Sequence, residues 1–131
     1  MASRQPSVLV LASDGLTRQT TATCLETFGY DVVSALDGVE AVSLLRQNRR
    51  IGVIVTEADL GGEVDGLAVA KTARELNPKM AVIYTARSPH SIPQARKVSG
   101  APMLRSPYFP QQIVGIIGEL RGRSNQDSVA A

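Results

Sequence analysis

The sequence predicts an α/β fold, a doubly wound five-stranded parallel sheet with helices on both faces. Five short apolar runs, most of them rich in β-branched residues, alternate with five helical segments, and this alternation is typical of parallel strands. The length of 131 residues is that of one domain, and a hydrophobic content of 44% is enough to form its core. Right-handed crossovers leave few topologies, of which we favour the strand order 2-1-3-4-5.

The first three strands are predicted at residues 8–11, 31–35 and 51–56, each short and mainly apolar, as expected of strands buried on both faces. A helix over residues 16–28 follows the first strand, and a helix over residues 38–47 follows the second. The first helix is rich in threonine. Its buried side is expected to consist of Leu16, Cys24, Leu25 and Phe28.

A third helix is predicted over residues 67–76 and ends at Asn77, because the proline that follows disfavours helical geometry there. Pro89 and Pro93 confine any fourth helix to about residues 94–98. Two further strands are predicted at residues 81–85 and 101–104.

The last helix has the clearest helical spacing, through Ile113, Ile116, Ile117 and Leu120. We place the domain at residues 7–121 and expect flexible tails at residues 1–6 and 122–131.

The composition argues against several classes of protein. The net charge is only +2, and the two adjacent basic pairs, Arg49–Arg50 and Arg96–Lys97, have no interleaved aromatics, so we expect no direct binding to nucleic acid. No apolar run approaches the roughly 20 residues of a membrane span. The single cysteine, Cys24, cannot form an internal disulfide, which fits a reducing cytoplasm.

The chemistry-bearing residues follow the ends of the predicted strands. Asp14 follows the first strand, Glu57 ends the third and Thr85 ends the fourth. In the predicted order these positions meet in the crevice at the carboxyl edge of the sheet, where open α/β sheets build their sites. Further acids in the loop after Glu57 are expected to form a solvated loop rather than a cation site, because their spacing matches no calcium loop. These acids are Asp59, Glu63 and Asp65.

Four segments together resemble the receiver domains of two-component response regulators: residues 28–45, 53–70, 81–86 and 100–114. The resemblance covers residues 8–120 and implies the flavodoxin-like fold. In that family a histidine kinase donates a phosphoryl group to an aspartate after the third strand. An acidic pair helps to bind Mg²⁺, a lysine pairs with the phosphoryl group, and a threonine or serine and an aromatic residue switch the output face.

The acidic positions of this pattern are altered here. The acidic pair falls on Ala12 and Ser13, so only the displaced Asp14 is acidic, and the phosphoacceptor position holds Glu57, one methylene longer than aspartate.

The remaining positions are altered too. The lysine position falls on Ser106, and the neighbouring Arg105 is no simple substitute because successive strand residues face opposite sides of a sheet. Met103 takes the aromatic switch position, and Thr85 is the one switch residue retained.

These losses predict a degenerate, stand-alone pseudo-receiver that is not an enzyme, binds Mg²⁺ weakly or not at all, and signals by protein–protein contact without conventional aspartate phosphorylation. Glu57 would then mimic a phosphorylated aspartate or be an inert remnant. The alternative is a phosphotransfer-competent receiver that uses Glu57 as an unusual acceptor.

The resemblance also implies partners. A sensor kinase or an output protein is expected, and a homodimer is possible. The output face would include Arg96, Lys97, Tyr108 and Phe109.

Overall fold

The computed structural model describes residues 5–130, with side chains described for residues 5–122. Its five parallel strands lie in the order β2-β1-β3-β4-β5, which confirms the predicted fold class and strand order. The strands are β1 (Ser7–Leu11), β2 (Val32–Ala35), β3 (Ile51–Glu57), β4 (Ala81–Ala86) and β5 (Met103–Arg105). The helices are α1 (Gly15–Thr27), α2 (Gly38–Gln47), α3 (Gly66–Leu76) and α4 (Pro110–Ala130).

The core has two layers, one on each face of the sheet. Side chains alternate between the faces along each strand. Val8 and Val10 of β1 therefore pack with α1 and α4, whereas Leu9 and Leu11 pack with α2 and α3. Parallel strands all end at one edge of the sheet, and Glu57 at the end of β3 pairs in register with Thr85 of β4.

The predicted buried side of α1 is wrong in part. Leu25 is buried, but the other fully buried residue is Thr21, while Leu16 and Phe28 are exposed. Residues 21 and 25 share one side of a helix, whereas Leu16, five residues before Thr21, lies nearly opposite. Phe28 is the residue that caps the helix at its C-terminal end.

The fourth predicted helix is replaced by two single 3₁₀ turns, Pro89–Ser91 and Gln94–Arg96, and no α-helix lies between β4 and β5 in this described stretch. Prolines at 89 and 93 break the segment into these short pieces.

The two ends of the chain were predicted to be flexible tails. Residues 1–4 and 131 lie outside the described residues. The last helix continues past Arg121 to Ala130, so its end was placed too early, and the flexibility of residues 122–131 stays a prediction. Within residues 5–130, no helix combines the length and the apolar character that crossing a membrane requires.

Candidate functional site

A cleft of about 620 Å³ opens at the carboxyl edge of the sheet, between the ends of β1, β3, β4 and β5. Asp14, Glu57 and Thr85 all line it, so the structure brings together the three residues that were expected to cluster. Its other polar lining residues are Ser13, Thr17, Asp59, Arg87, Ser106 and Tyr108.

Glu57 joins the end of β3 to the segment that follows β1. Its Oε1 atom accepts a hydrogen bond from the backbone N–H of Ser13, and its side chain is half-buried. The carboxylate at the acceptor position is therefore engaged by the backbone of its own chain.

Asp14 is directed at its own helix. Its Oδ2 atom accepts hydrogen bonds from the Thr17 hydroxyl at 2.7 Å and from the Thr17 N–H at 2.8 Å, and it caps the N-terminus of α1. The Thr17 hydroxyl is the main cause of a pKa below the ordinary value for this carboxyl, followed by the Thr17 N–H, and Arg18 and Arg87 add to the lowering. Asp14 thus serves as a helix cap.

The two positions of the acidic pair supply no carboxylate. Ala12 is buried, and its carbonyl accepts a hydrogen bond from Nη1 of Arg18 at 2.7 Å. Ser13 is exposed and gives its N–H to Glu57. The polar backbone groups of these two residues therefore bond to Arg18 and Glu57 of the same chain.

The lining of the cleft departs from the Mg²⁺ site of the family pattern, because positions 12 and 13 supply no carboxylate. Mg²⁺ requires octahedral oxygen coordination, usually with one or two carboxylates that are free to bind it. Here one oxygen of Glu57 accepts a hydrogen bond from the Ser13 N–H, and one oxygen of Asp14 accepts hydrogen bonds from Thr17. Across the described part of the chain, no group of three or more His, Cys, Asp or Glu side chains could hold a metal ion.

The positively charged side chain that lines the cleft follows β4 rather than β5. Ser106 lines the cleft at the lysine position. Met103 packs with the α2–α3 side of the sheet and Leu104 with the α1–α4 side, so alternation places Arg105 on the side away from Ser106. Arg87, two residues after Thr85, lines the cleft instead. Its backbone N–H donates a hydrogen bond to Oδ2 of Asp59 at 3.4 Å. Arg87 was not predicted as a site residue, although its position directly after β4 could have indicated one.

Tyr108 closes the cleft on the α1 side. Its phenol oxygen lies 2.9 Å from the hydroxyl of the buried Thr21. Burial raises the pKa of Tyr108 and the negative charge of Glu57 raises it further, whereas the hydrogen bond with Thr21 acts to lower it. The phenol therefore stays protonated and links α1 to the segment between β5 and α4.

The two switch positions have different surroundings. Thr85 is buried at the cleft, and its carbonyl accepts a hydrogen bond from the Ala58 N–H at 2.8 Å. Met103 is half-buried and pairs in register with Tyr84, which is fully buried and accepts a hydrogen bond from the Val98 N–H at 3.0 Å. The buried aromatic ring thus belongs to β4, beside the position where the family pattern places it.

The acids of the loop after Glu57 do not converge. Asp65 caps α3 through the Ala68 N–H and forms an ion pair with Arg96 at 3.0 Å. Burial acts to raise the pKa of Asp65, but the Ala68 N–H and Arg96 outweigh it and lower the pKa below its ordinary value. Asp59 lines the cleft, whereas Glu63 is exposed and does not line it.

The residues predicted for the output face lie in different places. Arg96 pairs with Asp65, Lys97 lines a separate groove beside α4, Tyr108 lines the cleft, and Phe109 is exposed beside α1. Their role in output stays a prediction.

A sequence model of the response regulator receiver domain matches residues 8–114. The chain belongs to this family, whose members are signalling modules of two-component systems. No curated protein gives a significant match to the chain.

Solved structures agree with this family and with the flavodoxin-like fold. A response regulator receiver protein from Sinorhizobium medicae is 21% identical with a TM-score of 0.82, and the match covers 89% of this chain and 94% of that one. A chemotaxis protein of Vibrio cholerae is 21% identical with a TM-score of 0.76, over 88% and 98% of the two chains. The receiver domain of a Francisella response regulator is 27% identical with a TM-score of 0.73, over 91% and 98%.

Proposed function

We propose that this receiver domain signals through protein–protein contact and without conventional aspartate phosphorylation. The observation that carries the proposal is the Glu57 carboxylate, which stands at the acceptor position and is bound to the Ser13 N–H, beside two positions that have no carboxylate.

Phosphoryl transfer depends on positioning and on stabilisation of negative charge. The cleft has no acidic pair at positions 12 and 13 and no lysine at position 106, and Glu57 and Asp14 each have one oxygen engaged by the chain. Glutamate also places its attacking oxygen differently from aspartate, and a misplacement of about 1 Å costs about 10²-fold in rate. We infer that these changes together abolish conventional phosphorylation.

Glu57 has a different role in this proposal. It carries one negative charge, whereas a phosphorylated aspartate carries about two, so it reproduces the phosphorylated state only in part. In this role, its hydrogen bond to the Ser13 N–H links the end of β3 to the segment before α1 without a phosphodonor.

The proposed module works in the cytoplasm, has no catalytic activity of its own, and passes its signal to a sensor kinase, an output protein or a second copy of the chain. It makes no direct contact with nucleic acid or membrane. The alternative, phosphotransfer through Glu57, is tested by the same experiment as the main proposal.

The test is the intact mass of the protein after incubation with Mg²⁺ and acetyl phosphate. The matched positive control carries Ala12→Glu, Ser13→Asp, Glu57→Asp and Ser106→Lys, which restore the family pattern. We expect the wild-type protein to keep its mass and the restored variant to gain one phosphoryl group. A phosphoryl group on the wild-type protein that Glu57→Gln removes would overturn the proposal in favour of the alternative.

A further inference from the structure

Each of the three carboxylates that line the cleft keeps one oxygen atom without a hydrogen-bond partner. The segment after β1 donates to one oxygen of Glu57, helix α1 donates to one oxygen of Asp14, and the backbone N–H that follows β4 donates to one oxygen of Asp59. Within residues 5–122, no hydrogen bond reaches Oε2 of Glu57 or Oδ1 of Asp14 and Asp59. The cleft therefore presents acceptor oxygens that are open to a ligand.

A buried hydroxyl faces the same space. Thr85 is 3% exposed, and its side chain is directed to the α1–α4 side of the sheet, since Ile83, two residues before it, packs there. Glu57 shares this direction because Val55 packs on the same side. Thr85 lines the cleft, and in the described part of the chain its hydroxyl makes no hydrogen bond. Buried hydroxyls are generally hydrogen-bonded, so this one points to a partner that enters the cleft.

The charge of the lining selects a cation as that partner. Three carboxylates and one guanidinium, that of Arg87, line the cleft and give it a net charge of −2, whereas the whole chain carries +2. Arg18 donates to the Ala12 carbonyl and does not line the cleft. The surplus of carboxylates repels an anion, whereas an ammonium group donates charge-assisted hydrogen bonds to carboxylate and hydroxyl oxygens.

The size of the cleft and the spacing of its acids select an organic cation rather than a single ion. The volume of about 620 Å³ is in the usual range for small-molecule pockets. In residues 5–122, no three acids converge closely enough to hold a metal ion, so the carboxylates are spread along the cleft. Val55 and Pro107 also line it and offer apolar contact to methylene groups. Two ammonium groups on a short aliphatic chain match both the net charge and this lining.

We propose that the cleft binds a small aliphatic diamine, whose ammonium groups pair with the unbonded oxygens of Asp14, Glu57 and Asp59 and with the hydroxyl of Thr85. The inference rests on the proposed function, because Mg²⁺ would compete for the same carboxylates. The diamine joins the ends of β1, β3 and β4 through one ligand. Its binding is a reversible event at the acceptor cleft that requires no phosphoryl group.

Titration of the full chain with putrescine in metal-free buffer, followed through backbone amide NMR signals, tests the proposal. We expect saturable shifts at Ser13, Ala58 and Thr85 at millimolar putrescine or below. Butylamine has the same chain length but one charge, and it should bind at least about tenfold more weakly. Succinate, an anion of the same chain length, should cause no saturable shift.

Two variants test the ligand groups separately. Asp59→Asn removes an exposed charge of the lining and should weaken putrescine binding about threefold or more. Thr85→Val keeps the shape of the side chain but removes its hydroxyl, and it should weaken binding about tenfold. Glu63→Gln is the matched control, since Glu63 is an exposed acid in the same loop as Asp59 that does not line the cleft. It should bind putrescine like the wild type, and circular dichroism shows that each variant is folded.

Several results would overturn the proposal. Putrescine that causes no saturable shift, or that binds no more tightly than butylamine, would exclude a diamine site. Asp59→Asn and Thr85→Val variants that bind as tightly as Glu63→Gln would place the ligand outside the cleft, and saturable binding of succinate would reverse the charge of the ligand. None of these results counts against the proposed function, which fails instead if the wild type binds Mg²⁺ saturably or gains a phosphoryl group.

Discussion

At the scale of single residues, two of the three carboxylates that line the cleft, Glu57 and Asp14, accept hydrogen bonds from the segment after β1. Glu57 reaches across from β3 to the Ser13 N–H, and Asp14 turns back to Thr17. These side chains stabilise the segment between β1 and α1 and leave less of the carboxylates free for a ligand.

Substitutions at Glu57 should reveal this structural role. Glu57→Ala removes the acceptor of the Ser13 N–H and should lower the free energy of unfolding by about 1–2 kcal/mol. Glu57→Gln keeps an oxygen acceptor and should lose less than half as much. Chemical denaturation measures both values. Equal stability of the two variants would mean that this hydrogen bond contributes nothing.

The ion pair at Asp65 should make stability depend on pH. The pKa of Asp65 is lowered from 3.8 in the folded chain, so its contribution is present above 3.8 and is lost as the pH falls through the lowered folded value. Asp65→Asn keeps a capping oxygen but removes the charge that faces Arg96.

Thermal denaturation from neutral pH to about pH 3 tests this effect. We expect the Asp65→Asn variant to melt below the wild type at neutral pH and the gap to shrink in acid. Glu63→Gln, an exposed change in the same loop, is the control and should leave the melting temperature unchanged. A gap that is constant with pH would contradict the role of the charge.

At the scale of elements, the start of α3 lies directly against the end of β3. A Cβ atom on Gly66 would overlap the carbonyl of Glu57 and crowd the hydroxyl of Thr56. The absence of a side chain at Gly66 therefore sets the distance between α3 and the strand that presents Glu57.

Gly66→Ala should push α3 away from β3 and cost about 1–3 kcal/mol in the free energy of unfolding. Gly61→Ala is the matched control, since no atom lies within 4 Å of its added Cβ. Urea denaturation of the two variants measures the difference. If both variants unfold at the same urea concentration, the close approach of α3 to Glu57 does not hold.

The elements also show where sequence patterns are informative. The buried strands and α3 were predicted closely because their apolar patterns follow the strand and helix periods. The buried side of α1 was predicted wrongly in part because Thr21 takes one of its two buried positions, through tertiary contacts that include Tyr108. Local hydrophobicity does not report such a polar pair.

At the scale of the whole molecule, the predicted strand order located the site residues better than their residue types did. Strand order alone brought Asp14, Glu57 and Thr85 to one cleft. The direction of each side chain was not predictable in the same way. The hydrogen bond of Asp14 with Thr17 and the position of Arg87 in the cleft both depend on loop geometry.

The boundary of the domain can be tested by truncation. Among the side chains that the structure describes, the last ones of α4 that pack into the core are Ile117 and Leu120. A chain without residues 122–131 should therefore keep its free energy of unfolding within about 0.5 kcal/mol. A chain that ends at Gly115 loses Ile117 and should fall by at least about 2 kcal/mol. A large loss in the longer truncation, measured by chemical denaturation, would extend the domain beyond Arg121.

The central claim is that this receiver domain has lost the chemistry of its acceptor cleft. A Mg²⁺ titration followed through backbone amide NMR signals tests it most directly, in the presence and absence of acetyl phosphate. We predict no saturable shifts at Ser13, Ala58 or Thr85 up to millimolar Mg²⁺. Saturable shifts confined to these residues would show that the cleft assembles a metal site and would contradict the account.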